Sequence, residues 1–250
     1  MISSINNTKY LTIPALEAVP GIRHAFTTST DGLGARTGGI KSPDDWNSVA
    51  DSFGIAPDRL VTVQQVHGDE LVVVNGNNYL NMRPRQADGV VTASADIAIG
   101  VETADCVPVL VLDPMTPAVA AVHAGWRSTV KKIVQKAVFR MQHEFGSDPS
   151  RMIAAIGPAI GPECYEVDEP VIGPVRAAFP YWKDVVAGRG NGRWSLDLVK
   201  LNSRELLDAG LKERNIHSLG LCTSCRRDLF YSFRAEGRTG RMLSVIMIQP

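Results

Sequence analysis

The chain has little of several things: four cysteines and five histidines in 250 residues, no surplus of charge of either sign, and no long apolar run. Cys106, Cys164, Cys222 and Cys225 are too few and too unevenly placed for a disulfide framework of the kind small secreted domains rely on. Lysine plus arginine equals aspartate plus glutamate at 26 each, so no net field recommends nucleic acid or an anionic membrane as the main partner. Any anion site must be local. No apolar stretch approaches the roughly 18 residues that would suggest a membrane span. The opening MISSINNTKYLTIPAL lacks the charged segment and long apolar run of a secretory leader. A reducing, cytoplasmic setting is expected.

What is present suffices for a core. The chain is 44% hydrophobic and 21% charged, with no internal repeat and no linker composition that would split it, so one domain over 1–250 is expected. Residues 28–47, TSTDGLGARTGGIKSPDDWN, read as a long loop. From Leu60 onward come short β-branched runs bounded by turn formers: LVTVQQV, ELVVV, GVVTA, IAIGV, VPVLVLD and AVAAV. A helical period begins after Trp126, with Val130, Ile133, Val134, Ala137, Val138 and Met141 on one face, Ser128 or Thr129 placed to cap it and Gly146 to stop it. RMIAAIG reads as a buried strand, EPVIGPVRAAF as a broken helix and LDLVKLNSRELLDAG as an amphipathic helix; IHSLGLC and RMLSVIMI are closing strands. Strands joined mostly without regular helical crossovers predict an α+β fold of mixed sheets flanked by helices.

Three polar residues end apolar strands in the same manner: His67 after VTVQQV, Cys106 before VPVLVL and His123 after AVAAV. Strand ends are where scaffolds present functional groups. Their separations, 39 residues and then 17, exclude a local finger-type site but allow one assembled across neighbouring strands. The competing interpretation is two satisfied core histidines and a small buried cysteine. Against it stand Asp105, beside Cys106, and Arg127, four residues after His123, both costly to bury unless paired with each other or used in catalysis.

The segments QVHG (65–68), ADGVVT (87–92), TADCVPVLVLDP (103–114), VHAGWR (122–127), IGPAIGPECYEV (156–167) and CTSC…FYSFR…TGRM at the end resemble the YfiH-like, laccase-domain or polyphenol-oxidase-type family, also linked to purine nucleoside chemistry and peptidoglycan editing. The matches run in order from about residue 60 onward. The resemblance implies a layered YfiH-like fold, and zinc held by His67, Cys106 and His123. The usual Ser-Leu-Asn and Val-Gly-Asp segments are not recognisable in 38–59, where Asn47 is the sole candidate remnant; Ser128 and Glu163 stand where glycine and cysteine are common in the family.

A trinuclear copper cluster needs about eight histidines, usually in His-x-His pairs; the chain has five, none so spaced, and Cys106 lacks the nearby His and Met of a blue-copper loop. Copper is therefore the lesser expectation, and two imidazoles with one thiolate suit zinc. Cys164 is the candidate that would close such a site with a fourth ligand, giving a metal-buffering protein rather than an enzyme. With the site open, the resemblance implies a zinc-dependent purine nucleoside phosphorylase with adenosine deaminase activity, taking adenosine, inosine, guanosine or methylthioadenosine-class substrates together with phosphate. Arg127, Ser128 and Thr129 are the candidate phosphate contacts, at a helix start. The alternatives are a copper polyphenol oxidase and a hydrolase editing a peptidoglycan precursor, in which Cys106 is nucleophile and His123 base. A monomer or weak oligomer is expected, with no nucleic-acid or membrane partner. Cys222 and Cys225, spaced as half a zinc finger, read as structural or incidental; Arg234, Arg238 and Arg241 as a solvated face; His24, His143 and His217 carry no motif.

Overall fold

The computed structural model describes residues 2–5, 8–29, 47–76 and 85–250; most of the 28–47 segment lies outside them. The architecture is α+β. One six-stranded sheet runs in the order β1 (Ile2–Ile5), β2 (Thr8–Leu11), β3 (Ile22–Thr27), β15 (Met242–Ile248), β7 (Ala98–Thr103), β4 (Leu60–Val61). A second runs β14 (Ile216–Ser218), β10 (Ile153–Ile156), β8 (Val107–Asp113), β9 (Ala118–Ala124), β6 (Gly89–Thr92), β5 (Leu71–Val74). A small third sheet joins β11 (Glu166–Val167), β13 (Arg193–Leu196) and β12 (Val186–Gly190). Parallel and antiparallel pairs are mixed: β5 with β6 is parallel, while β6–β9, β9–β8 and β8–β10 are antiparallel.

The period of two along each strand sorts the core. Val119 and Ala121 of β9 with Leu110 and Leu112 of β8 pack against Ile99, Val101 and Ile246 of the first sheet. Ala120 and Val122 with Val109 and Val111 face the helices α4 (Ile133–Phe145), α5 (Glu169–Ala178) and α6 (Leu198–Asp208). On the outer face of the first sheet, Val49 and Phe53 of α2 (Asn47–Phe53) cover Leu243 and Val245. The remaining helices, α1 (Pro14–Glu17), α3 (Trp126–Val130) and α7 (Phe233–Glu236), are single turns. Among the described residues no helix is long and apolar enough to cross a membrane.

Two helices differ from their sequence patterns. The stretch after Trp126 is not one helix, because Lys132 takes a left-handed conformation (φ 64°) between α3 and α4. Gly125 rather than Ser128 or Thr129 is the cap of α3, and Gly146 stops α4 as expected. EPVIGPVRAAF forms the continuous α5 despite Pro174, and LVTVQQV pairs as a strand only at Leu60–Val61 with an isolated bridge from Gln64 to Gln86.

His24, on β3, is buried and accepts a hydrogen bond at Nε2 from the Ile13 amide (2.8 Å). Burial holds its pKa down at about 4, against the pull of Glu17. Protonation would cost that bond, so the contribution to stability is complete above the unfolded value near 6.5 and is lost as pH falls towards 4. The gap corresponds to roughly 3 kcal/mol. Urea denaturation between pH 7 and pH 4 should show this loss in the native chain and a smaller one in His24→Gln.

Candidate metal centre

Asp88, Cys106 and His123 stand at the same end of three adjacent strands. The register pairs Val107 with Ala124 and Pro108 with His123, and the His123 amide donates to the Asp88 carbonyl (2.7 Å). Their even and odd positions match Val90, Leu110 and Val119, so all three belong to the face that meets the first sheet. His67 comes from the segment between β4 and β5, and a bond pair pins that segment: Gln65 Oε1 accepts from the Glu102 amide and Gln65 Nε2 donates to its carbonyl, both at 2.7 Å.

The result brings His67, Cys106 and His123 together, one ligand atom from each within 4.8 Å of the others. His67 Nε2 lies 3.8 Å from Cys106 Sγ, against about 3.6 Å for the S···N edge of a tetrahedral zinc site with ordinary bond lengths. The two imidazoles meet edge to face, centroids 4.8 Å apart. Gly125 leaves the space: a Cβ there would stand 3.0 Å from both Cys106 Sγ and the His67 ring. His123 is buried, Cys106 half-buried and His67 exposed, which leaves the group open on one side.

Asp88 anchors this arrangement, and sequence reasoning quoted it only as part of ADGVVT. It is fully buried. Oδ1 accepts from the His67 amide (2.9 Å) and faces His123 Nδ1 at 2.7 Å, while Oδ2 accepts from the Val66 and Gly68 amides. Three successive backbone donors therefore converge on one carboxylate, holding His67 at φ 57°. With Nδ1 committed to Asp88, Nε2 of His123 is the nitrogen left to bind. Burial pushes the Asp88 carboxyl up, but His123 and the amides outweigh it and hold it below its usual range. Burial would likewise raise the Cys106 thiol; the facing His123 and His67 bring it below its usual value. Burial opposes the charged form of His123, yet Cys106 and Asp88 raise its pKa.

Asp105 is also strained, at φ 88°. Such conformations cost about 1–3 kcal/mol each. Burial of one Val or Leu supplies about as much, and β8 and β9 are buried at every position, so the scaffold holds both turns. Asp105 does not pair with Arg127: its carboxylate accepts from Thr223 Oγ1 (2.6 Å) and the Arg234 amide (2.6 Å). Arg127 is exposed, its guanidinium 4.3 Å from the Trp126 ring centroid. Ser128 and Thr129 turn into the core at 0% exposure, Thr129 exchanging hydrogen bonds with Asn202, so neither hydroxyl lines the cleft.

The cleft over the three ligand candidates has a volume of about 480 Å³. Tyr165, Trp126, Phe233 and Ile160 supply apolar walls, and Arg234 and Arg241, expected on a solvated face, line it instead. Arg234 lies 5.2 Å over the Tyr165 ring and donates to the Glu166 carbonyl (2.7 Å). Burial drives the Tyr165 phenol pKa well above its usual value. Cys164 does not join this group as a fourth ligand; its neighbours are Cys222 and Cys225. His143 is on α4 beside Glu144 and His217 on β14, both away from the cleft.

Residues 43–249 match a family described as multi-copper polyphenol oxidoreductase laccase. The chain is 36% identical over 206 residues to purine nucleoside phosphorylase YlmD of Bacillus subtilis, covering 79% of this chain and 74% of that one. It is 33% identical over 207 residues to adenosine deaminase RL5 from an unknown prokaryote, covering 80% and 79%. The crystal structure of the hypothetical protein YfiH of Bacillus licheniformis superposes with a TM-score of 0.86 at 30% identity, over 93% of this chain and 95% of that one.

Proposed function

Given that the chain belongs to the laccase-type family whose relatives include a purine nucleoside phosphorylase and an adenosine deaminase, we propose that it is a zinc-dependent enzyme of purine nucleosides, catalysing phosphorolysis and deamination. The observation that carries this is the convergence of His67, Cys106 and His123 on an open cleft large enough for a nucleoside. The family description names copper, but of the five histidines only these two meet, and two imidazoles with a thiolate form a zinc donor set. Bound there, zinc would supply a Lewis acid able to acidify water for attack at purine C6.

The chain's own residues do the rest. Asp88 fixes the His123 ring and tautomer; Gln65 and the amide nest hold His67 in place. Tyr165, Trp126 and Phe233 offer faces on which a purine stacks, and they narrow the access of bulk water. Arg234 and Arg241 add positive charge to the cleft wall, with Arg127 beyond Trp126, and these guanidiniums suit a phosphate co-substrate. Asp105 serves as a positioning residue for Cys106.

Adenosine and inosine incubated with phosphate should yield ammonia from the first and ribose 1-phosphate from both. Chelation should stop both reactions and zinc, rather than copper, restore them; zinc-replete protein that turns over neither substrate sinks the proposal. The Cys106 thiol, grouped within 4.8 Å of the His123 and His67 imidazoles and 3.8 Å from His67 Nε2, suits a second reading, a cysteine hydrolase acting on a peptidoglycan precursor that carries a wrong amino acid. Activity that survives complete chelation would select it.

Arg127→Ala separates the two nucleoside reactions. Loss of one charged hydrogen bond to phosphate should lower phosphorolysis roughly 10- to 150-fold, with zinc content unchanged and deamination reduced much less. Equal losses in steady-state rates of both would place Arg127 on the nucleoside instead.

A further inference from the structure

A second cluster of soft ligands lies away from the cleft lining. Cys164 belongs to the turn in which the Cys164 and Tyr165 amides both donate to the Gly161 carbonyl. Cys222 and Cys225 belong to a second turn, laced to the first by the bridge between Ala159 and Cys222 and by the Thr223 amide donating to the Ala159 carbonyl (3.0 Å). Sequence spacing shows the pair Cys222 and Cys225; the third member arrives from 58 residues upstream only through this lacing.

All four cysteines of the chain are free, and the three Sγ atoms of this group lie within 4.8 Å of one another, Cys164 and Cys225 at 3.3 Å. The Gly161 amide donates to Cys222 Sγ at 3.1 Å, the backbone hydrogen bond that stabilises a thiolate. The approach depends on that glycine, since a Cβ would stand 3.2 Å from Cys222 Cβ and 3.4 Å from its sulfur. Three sulfurs so close gain little from weak S–H hydrogen bonds and repel one another once ionised. A soft divalent cation removes the repulsion, and thiolates around tetrahedral zinc stand about 3.8 Å apart, within the span seen here.

We propose that Cys164, Cys222 and Cys225 bind a second, structural zinc-class cation that clamps their two turns together. Binding releases the thiol protons to solvent and moves no electrons; Cys225 is exposed, so water completes the coordination. The clamp reaches the first site through Thr223, which lies between Cys222 and Cys225 and donates its hydroxyl to Asp105, while the Ile160 amide donates to the Asp105 carbonyl (2.9 Å). Both turns thus brace the strained residue that precedes Cys106.

This inference does not depend on the chemistry proposed for the cleft. The His67→Ala/Cys106→Ala double variant, reduced and loaded with zinc under exclusion of air, should retain one equivalent in competition with a chromophoric chelator. Adding Cys225→Ser should remove it and lower Tm. As a check on single variants, cobalt-loaded native chain should show a thiolate-to-cobalt charge-transfer band whose larger part is lost in Cys225→Ser, leaving the one-thiolate contribution of Cys106, and whose larger part persists in Cys106→Ala. The proposal is overturned if the natively folded double variant binds no zinc, if the band depends on Cys106 alone, or if thiol counting finds Cys164 and Cys225 joined as a disulfide. Should the double variant fail to fold, the cobalt comparison of the single variants decides by the same rule.

Discussion

His123→Ala should abolish metal binding at the cleft and both nucleoside reactions together, the largest effect of any single substitution. The ring is buried, contributes one of three ligand atoms, and has no neighbour among the described residues able to replace it. Loss of an outer partner of a metal ligand costs about 10- to 100-fold in affinity, and loss of the ligand itself should exceed that. Titration of the variant with zinc, alongside ammonia and ribose 1-phosphate assays, checks the expectation. Activity that survives while cleft zinc is lost would detach the chemistry from the metal.

Asp88→Asn should have the next largest effect, although the residue never touches substrate. An asparagine oxygen in the place of Oδ2 can still accept from the Val66 and Gly68 amides, but its NH2 group then faces the His67 amide and His123 Nδ1–H, two donors it cannot accept from as the carboxylate does. Zinc affinity should fall roughly 10- to 100-fold with the fold intact. Asp88→Ala goes further, because the buried donors left without an acceptor cost about 1–3 kcal/mol each. Zinc affinity and urea stability measured on both variants separate the two roles. Equal affinities in Asp88→Asn and the native chain would show that the carboxylate does not orient the ligand.

The grouping of the candidate ligands was legible where polar residues interrupt a strand pattern. His67, Cys106 and His123 each break an apolar run at its end, and the structure gathers them because β8 and β9 pair in a register that sets their ends side by side. Asp88 occupies the same kind of position at the head of β6, but nothing in its own segment reveals that three amides and an imidazole converge on it. Those partners come from a turn twenty residues away and from a neighbouring strand. Arg234 looked like a surface charge because the chain around it has no periodicity, and Arg241 because it stands at the head of the closing strand RMLSVIMI rather than inside it. The place of Arg234 in the cleft follows from its contacts with Tyr165 and Glu166 on another part of the chain, whereas Arg241 donates to the Thr239 and Gly240 carbonyls just before it.

The fold was legible in the same uneven way. The β-branched runs from Leu71 to Ala124 became strands nearly as bounded; β6, β8 and β9 are buried at every position, so alternation is not needed to mark them, while β5 at the sheet edge alternates. The break at Lys132 escaped the helical pattern because the apolar spacing continues through it, and only the left-handed backbone shows that α3 and α4 are separate. β3 was missed: IRHAFT has one histidine and one arginine inside six residues, and its burial follows from pairing with β15, more than 200 residues later.

Anomalous diffraction from crystals of the zinc-loaded chain, recorded on both sides of the zinc absorption edge, tests the central claim most directly. The account requires a peak about 2.0–2.1 Å from Nε2 of His67 and of His123 and about 2.3 Å from Sγ of Cys106, with His123 Nδ1 still on Asp88. Fully loaded crystals with no peak between those three atoms, whatever is bound at the Cys164, Cys222 and Cys225 group, would contradict it.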